Sequence, residues 1–246
     1  MHVHADRIRI DGPHGTLLPP TSFGVGSGEL AVVQGPPGPG LTGFGLALAG
    51  RMRLTAGAVT LRDGEPPADG EQAGAAELRE RVAIVDAPGV SEPEGSLPLR
   101  AVVGEELALA RLPASRDDAA TWLADNGLAD DADTRFEDLR AEARTFVLTT
   151  LAAARPRVGM LVLDTPDRHT WDIAPWFELA TRHAELGFAV VVLAATAHPT
   201  TLPVPAARFG QREQPPPLTP AGPAVHTEHT DQHDTDHGED ERSCAP

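Results

Sequence analysis

Lysine and tyrosine are absent from this chain of 246 residues, and cysteine occurs once, at Cys244. All 20 basic residues are therefore arginines, which excludes any mechanism that depends on a lysine amine. A single cysteine cannot form an internal disulfide, so the composition favours a reducing compartment. The sequence therefore predicts a cytoplasmic protein in which arginine is the source of side-chain positive charge.

A basic surface and long apolar runs are missing as well. The 36 acidic residues outnumber the bases and give a formal net charge of −16, so we expect no nucleic acid or anionic lipid on the bulk surface. No run of about 18 apolar residues is present, which predicts that the chain does not span a membrane. The first residues lack the apolar core of a signal peptide, which predicts no secretion.

The composition changes near residue 212, which predicts one folded domain followed by a tail. Residues 213–246 contain eight acidic residues against one arginine, begin with a proline-rich stretch and include few large apolar side chains. Such a segment cannot bury enough surface to offset its conformational entropy. We therefore expect residues 213–246 to be disordered and residues 1–212 to form the domain.

Apolar runs rich in β-branched residues alternate with helical stretches along residues 1–212. The runs VAIVD, MLVLD and AVVVLA are continuously apolar, which is typical of strands buried on both faces of a parallel sheet. Alternating helices and strands predict an α/β fold with a mostly parallel sheet, flanking helices and a helical lobe at about residues 87–155. The predicted strands are residues 3–10, 29–34, 58–61, 82–86, 160–164 and 189–194, and the predicted helices are residues 42–51, 97–111, 115–126, 136–155 and 170–186.

A glycine-rich segment, GPPGPGLT, joins the predicted strand ELAVVQ to the next helix. Phosphate-binding loops have glycine, four residues, glycine, lysine and serine or threonine in this context. The segment has Gly35, Gly40 and Thr42 at the matching positions and a further Gly38 between them, whereas Leu41 replaces the lysine. Glycines let backbone N–H groups surround an anion at a helix N-terminus, and Thr42 stands where a hydroxyl would bind Mg²⁺. A simple Gly/Pro turn is the alternative interpretation.

Further motifs follow this loop in a recognisable order. The strand VAIVD ends about 45 residues after Leu41, LRAEAR begins at Leu139 before a helix, and LDTP contains Asp164 at the end of an apolar strand. This order resembles the ATP-binding domain of ABC transporters over about residues 1–212, with these segments at the positions of its Gln loop, signature and Walker B motif. The resemblance implies a P-loop NTPase fold, ATP and Mg²⁺ as cofactors, and a membrane permease as partner.

Two of the positions that the resemblance associates with phosphate chemistry have changed. Leu41 cannot make the charged contact of the family's lysine, and Pro39 removes a backbone N–H from the loop. Thr165 stands at the position of the general-base Glu, so the resemblance leaves no intact catalytic residue. The positions on the Mg²⁺ side, Thr42 and Asp164, retain suitable oxygens, although Asp164 is equally suited to cap the turn after its strand. We therefore expect weak nucleotide binding or none.

Other family positions differ too. Asp86 lies near the Gln-loop position, where its charge would repel phosphate unless Mg²⁺ intervenes, and residues 140–142 replace the Ser-Gly-Gly of the signature. Glu142 would repel a phosphate there, and Arg140 and Arg144 would partly offset that repulsion. The favoured alternative is that these two arginines form an exposed helix face, because they are four residues apart. His198 is either a displaced switch histidine or an ordinary loop residue, and His14 is a weak substitute for the aromatic residue that stacks on adenine.

Histidines recur in the predicted tail at spacings of three and four residues, with aspartates between them. Imidazole and carboxylate groups in such clusters can bind Zn²⁺, Ni²⁺ or Cu²⁺. A solvated low-complexity tail is the alternative, and it has the better support because a disordered segment has no preformed site. The histidines are His226, His229, His233 and His237.

The sequence thus leads to one main hypothesis and two alternatives. The main hypothesis is a pseudo-ATPase of the ABC type, a non-hydrolysing assembly or regulatory subunit at the cytoplasmic face of the membrane beside a multi-span membrane protein. The first alternative is a functional ATP-binding subunit, active alone or in a homodimer or heterodimer with another ABC subunit. The second is a non-enzymatic scaffold with a metal-binding tail.

Overall fold

The computed structural model describes residues 1–62 and 74–221 and contains two sheets. The antiparallel sheet consists of β1 (His2–Gly12), β2 (Gly15–Gly26) and β4 (Ala56–Arg62), with β1 in the middle. The parallel sheet has the order β5-β6-β7-β3-β8. Its strands are β3 (Leu30–Gln34), β5 (Val82–Val85), β6 (Met160–Asp164), β7 (Ala189–Ala194) and β8 (Ala207–Arg208).

The parallel sheet lies between two apolar layers, which explains its uninterrupted hydrophobic strands. Successive residues of β7 belong alternately to the two layers: Val190 and Val192 to one, Val191 and Leu193 to the other. This alternation follows from the two-residue period of a strand, and every residue of β7 is buried. The predicted α/β class with a mostly parallel sheet is confirmed.

Helices cover both faces of the parallel sheet. Helices α3, α4 and α5 lie between β5 and β6 in the chain and pack in the same apolar layer as α6. Ser115 is the N-cap of α4 and forms a capping box with Asp118, which places this helix close to its predicted bounds. The helices are α1 (Pro39–Leu48), α2 (Ala75–Arg81), α3 (Leu99–Leu109), α4 (Arg116–Asp125), α5 (Ala141–Ala153) and α6 (Ala174–Glu185).

Some predicted elements differ from the structure. The helix predicted at residues 136–155 is interrupted, because residues 136–138 form a short 3₁₀ turn and Arg140 is the N-cap of α5. Strand β2 was not predicted, since Pro19 and Pro20 interrupt its pattern. Proline is tolerated there because β2 is an edge strand.

The predicted domain boundary after residue 212 is also wrong. Leu218 exchanges two backbone hydrogen bonds with Leu30, both 2.8 Å long, and packs against the core. The Gln214 side chain accepts from the Arg208 N–H and donates to the Ser22 carbonyl. Residues 213–221 therefore belong to the fold, because one apolar side chain and the free backbone of β3 supply partners that composition does not reveal. Residues 222–246, including the four tail histidines, lie outside the described residues.

Within residues 1–62 and 74–221, no helix has the length and apolar character needed to cross a membrane.

Candidate functional site

The glycine-rich loop joins β3 to α1 and packs closely against β2. Helix α1 begins at Pro39, three residues before the predicted start, with Gly38 as N-cap at a φ of 139°. Proline suits this first helical position because the N–H that it lacks would have no partner within the helix. A Cβ on Gly40 would lie 2.7 Å from the Leu17 carbonyl oxygen, so the close approach of the backbones requires glycine here.

Few backbone donors remain in this loop to bind an anion. Pro36, Pro37 and Pro39 have no N–H, and the Gly35 N–H donates to the Ala194 carbonyl at 3.2 Å. The donors at the N-terminus of α1 are then the N–H groups of Gly38 and of residues 40–41. The loop therefore resembles a phosphate cradle in sequence more than in its supply of donors.

The Leu41 side chain points into the hydrophobic core. It is 1% exposed and belongs to the apolar layer that includes Leu18 and Phe44. It also packs beneath Gly35. If Gly35 carried a Cβ, that atom would lie 3.3 Å from Leu41 Cδ2 and 2.9 Å from the Phe209 ring. The residue at the lysine position is thus a core residue beneath the loop, not a shortened side chain facing a ligand.

Asp164 and Thr42 come together at the carboxyl end of β6. Asp164 is 2% exposed, and its Oδ1 accepts from the Thr165 hydroxyl at 3.2 Å. Burial raises the pKa of the Asp164 carboxyl, and hydrogen bonds from the Thr42 and Thr165 hydroxyls only partly counter this. Asp164 Oδ2 has no hydrogen-bond partner among the described residues. A buried, unsatisfied carboxylate oxygen beside a hydroxyl is a suitable pair of ligands for Mg²⁺.

Two residues of this region have left-handed backbone conformations. Thr165 has a φ of 48° directly after β6, and Asp86 has a φ of 58° directly after the neighbouring β5. A β-branched threonine is strained in this conformation, and such strain concentrates at functional sites. The Thr165 hydroxyl donates to Asp164 Oδ1.

An ion-pair network that is buried at Asp86 and Arg144 lies beside these residues, and its central cation is Arg144. The Arg144 guanidinium donates to both Asp86 carboxylate oxygens, at 2.8 and 2.6 Å, and to Glu92 at 3.1 Å. It also lies 4.4 Å from the centre of the Phe136 ring. The expectation that Arg144 belongs to an exposed helix face is wrong, because it is 5% exposed. Arg140 is exposed, as expected.

Arg168 and His169 complete this network on the other side of Asp86. Arg168 lies 3.3 Å from Asp86 and 3.2 Å from Glu92, and His169 Nε2 lies 3.1 Å from Asp86 Oδ2. Burial opposes ionisation of Asp86, but its bonds to Arg144 and His169 lower the pKa of the carboxyl below its usual value. The negative charge of Asp86 is therefore compensated by the two arginines and by the hydrogen bond to His169. The lobe network consists of Asp86, Glu92, Arg144, Arg168 and His169.

A cavity of about 510 Å³ opens beside the loop. Its polar lining includes Thr42, Thr165 and Arg168, and its apolar lining includes Leu17 and Met52. Arg168, which the sequence analysis did not identify, is the charged residue of the lining. Only its position, two residues after Pro166 in the turn after β6, could have indicated it.

The remaining predicted positions do not join this cavity within the described part of the chain. His198 lines a neighbouring cavity, and its Nδ1 lies 2.7 Å from the Thr200 hydroxyl. Ala141 and Glu142 line a separate groove between α5 and α6. His14 is exposed in the turn between β1 and β2. Of the residues that the structure describes, Leu17, Leu46 and Met52 line the apolar side of the cavity, and none of those lining it is aromatic.

The parallel sheet, the loop between β3 and α1, and the acid at the end of β6 together define a P-loop NTPase fold. Within this class the fold is that of the ATP-binding cassettes of ABC transporters. A nucleotide-free ATP-binding cassette from an ABC transporter superposes with a TM-score of 0.54 at 15% identity, covering 80% of this chain and 82% of that chain. A putative ABC transporter ATP-binding protein from Pyrococcus furiosus gives 0.57 at 11% identity, covering 80% and 93%.

An ATP-binding subunit of an ABC transporter gives a TM-score of 0.53 at 15% identity, covering 80% of each chain. No protein-family model matches the sequence, and no curated protein matches it. At these identities the likeness shows the fold alone, so the chemistry has to be argued from this chain's own residues.

The raised pKa of Asp164 leads to a pH-dependent stability prediction. The native state disfavours the charged form, so the stability contributed by this group is fully present below its unfolded pKa, about 3.9, and is lost as the pH rises through the raised folded pKa. Relative to wild type, Asp164→Asn is therefore expected to have a more favourable effect on the free energy of unfolding at pH 8 than at pH 5. Urea unfolding at the two pH values measures this difference.

Asp125→Asn, at an exposed carboxylate, is the matched control for the change of side chain. An Asp164→Asn protein that is equally destabilised at pH 5 and pH 8 would show that the carboxylate is stabilised in the fold, contrary to this prediction.

Proposed function

We propose that this protein is a non-hydrolysing relative of ABC ATP-binding subunits that acts as an assembly or regulatory subunit for a membrane protein. The burial of Leu41 carries this proposal. A core residue at the position of the phosphate-contacting lysine is part of the packing of α1. The site has therefore been rebuilt around an apolar side chain, which argues against a catalytic site that has merely lost one contact.

The residues present suit the Mg²⁺ ion of a Mg²⁺-nucleotide complex better than its phosphate groups. Thr42 and the unsatisfied Asp164 Oδ2 suit Mg²⁺, and Arg168 adds a positive charge at the cavity. The loop has lost three N–H donors to proline, and Arg168 already contacts the Asp164 carbonyl oxygen, Asp86 and Glu92. We infer weak nucleotide binding at most, with Thr42 and Asp164 as the Mg²⁺ ligands if a nucleotide binds.

The lobe network supports a static role for the domain. It joins Arg144 on α5 to Asp86 after β5 and to Arg168 in the turn after β6. These elements belong to the helical lobe and to the sheet, so the network fixes the lobe on the sheet. A scaffold of this kind suits a subunit that binds a partner without a catalytic cycle.

An exposed tryptophan indicates where such a partner contacts the domain. Trp171 is 91% exposed and lies between the turn after β6 and α6. Large exposed aromatic side chains are unusual on isolated domains, and tryptophan is enriched among the residues that dominate binding energy at interfaces. We propose that Trp171 contacts a membrane permease, or another ABC subunit in a homodimer or heterodimer, at the cytoplasmic membrane face.

Trp171→Ser is expected to weaken the complex with this partner by about 30-fold, the effect of losing an interface residue worth about 2 kcal/mol. The partner is first isolated by mild detergent extraction of native membranes with the tagged full chain. Its affinity for wild type and variant is then measured by surface plasmon resonance.

Leu186→Ser is the matched control, because Leu186 is also an exposed apolar residue, at 66%, at the far end of α6. Equal loss of affinity in both variants would argue against a specific contact at Trp171. Isolation of soluble proteins alone, with no multi-span membrane protein or ABC subunit, would contradict the proposed partner class.

Retention of Thr42 and Asp164 favours one second candidate, a heterodimer in which an intact ABC subunit supplies catalysis. Adding the purified intact subunit to the full chain would then produce ATP turnover greater than that of the intact subunit alone. The alternative of a scaffold with a metal-binding tail concerns histidines outside the described residues, so it stays a prediction.

A further inference from the structure

Five arginines line a cavity of about 380 Å³ at the amino ends of β5 and β6. Val82 and Ala83, the first residues of β5, form part of its wall, and Val158 lies just before β6. The glycine-rich loop follows the carboxyl end of β3, so the two cavities lie at opposite edges of the parallel sheet. The name arginine cavity is used for this site, and its arginines are Arg51, Arg79, Arg111, Arg155 and Arg157.

Among the described residues, only two of the five arginines of the arginine cavity form ion pairs. Arg155 pairs with Glu106 at 2.6 Å, and Arg157 pairs with Glu80. Within residues 1–62 and 74–221, no carboxylate pairs with Arg51, Arg79 or Arg111. In a chain with a net charge of −16, three unpaired guanidinium groups around one cavity indicate an anionic ligand.

Backbone contacts orient two of these unpaired groups. Arg79 Nη1 donates to the Gly50 carbonyl oxygen at 3.0 Å, and Arg51 Nη2 donates to the Arg79 carbonyl oxygen at 3.3 Å. Each guanidinium has further N–H groups available for a ligand. The ends of α1 and α2 thus place their arginines around a common space.

Two of the lining arginines have left-handed backbone conformations. Arg111 and Arg157 have φ values of 59° and 68°. Arg111 directly follows the C-cap of α3, a position where glycine is usual. Each arginine therefore occupies a position whose backbone conformation favours glycine.

We propose that the arginine cavity binds a small organic phosphate, with two or more phosphate oxyanions near the guanidinium groups and a compact apolar body against Val82, Leu109 and Val158. The cavity volume lies within the range of small-molecule sites. Guanidinium forks match phosphate oxygens, often with two parallel hydrogen bonds. The apolar wall distinguishes this site from one for inorganic ions alone, and Leu109 within it is 58% exposed.

Inorganic pyrophosphate is the probe, titrated into the full chain without Mg²⁺ by isothermal calorimetry and by amide chemical shifts. The expected shifts lie in residues 79–83 and at Arg111, and not in residues 35–42. Arg79→Gln and Arg111→Gln should each weaken binding about tenfold or more, since each removes charge-assisted hydrogen bonds. Arg212→Gln, an exposed arginine beyond the opposite edge strand β8, should leave the affinity within twofold of wild type.

Arg111→Gly separates binding from folding, because it removes the charge and also relieves the positive φ. It should lose affinity like Arg111→Gln without a lower Tm. Absence of binding, shifts confined to residues 35–42, or equal losses in Arg212→Gln would overturn the proposal. A further outcome would also overturn the proposal. In it, pyrophosphate does not bind, but replacing the tail acids Asp231, Asp234 and Asp236 by Asn changes the amide chemical shifts of the arginine cavity. The chain's own tail would then be the ligand.

Discussion

Asp86→Asn is expected to destabilise the protein by about 3 kcal/mol at pH 7, since removing one partner of a buried ion pair leaves the other charge uncompensated. Among the described residues, Arg144 would keep only Glu92 as an acidic partner, and Arg168 and His169 would lose a carboxylate contact. Asparagine is chosen because it tolerates the positive φ of Asp86, so the change tests charge and not backbone strain. Urea unfolding of wild type and variant gives the difference in free energy.

The pH dependence of this variant follows from the lowered pKa of Asp86. A carboxyl with a lowered folded pKa contributes stability that is present above its unfolded pKa, about 3.9, and lost as the pH falls through the folded value. The difference between wild type and Asp86→Asn should therefore shrink below about pH 4. Glu137→Gln, which breaks an exposed 3.7 Å pair with Arg135, should cost less than about 0.5 kcal/mol. Equal effects of the two variants would contradict a stabilising lobe network.

Leu41→Lys, which restores the lysine of the phosphate-loop pattern, is expected to destabilise the protein by about 3–5 kcal/mol and to add no affinity for ATP. The leucine is 1% exposed in the apolar layer beneath the loop, so the substitution loses buried apolar contacts and places an amine among Leu18 and Phe44. Thermal and urea unfolding measure the stability, and equilibrium dialysis with ATP measures binding.

Leu41→Met is the matched control, because a flexible apolar side chain of similar volume should cost less than about 1.5 kcal/mol. A Leu41→Lys protein as stable as wild type, with newly gained ATP binding, would mean that the side chain at this position can turn toward the loop. That outcome would weaken the argument that the site has been rebuilt around leucine.

The strands of the parallel sheet could be predicted well because their burial on both faces leaves a strong local signal. Met160–Asp164 and Ala189–Ala194 have the bounds that their apolar runs indicate. The proximity of Thr42 and Asp164 could also be predicted, since parallel strands present their carboxyl ends at one edge of the sheet.

The lobe network could not be predicted, because its partners are distant in the sequence. Asp86 and Arg144 are 58 positions apart in the sequence. Arg144 lies in a helix that mixes polar and apolar residues, so the local sequence does not indicate that its side chain is buried. The predicted start of the tail was wrong for a related reason. Leu218 is one apolar residue among prolines, and only the tertiary structure shows that the backbone of Leu30 pairs with it.

The direction of the Leu41 side chain also could not be predicted from the motif. The pattern of residues 35–42 indicates a phosphate loop with a substituted lysine, which predicts a weakened site. The early start of α1 at Pro39 and the packing against β2 show that the loop itself is remodelled. Local spacing thus identified the fold, whereas the chemistry depended on contacts between distant segments.

Phosphate release by the purified full chain with Mg²⁺ and ATP tests the central claim most directly. Loss of a positioned general base alone typically costs 10²–10⁴-fold in rate, and Thr165 supplies no such base. We predict no release above background for wild type and the same background for Asp164→Asn, which controls for contaminating ATPases. Robust turnover in wild type that disappears in Asp164→Asn would show that the chain hydrolyses ATP and would contradict the proposed non-hydrolysing role.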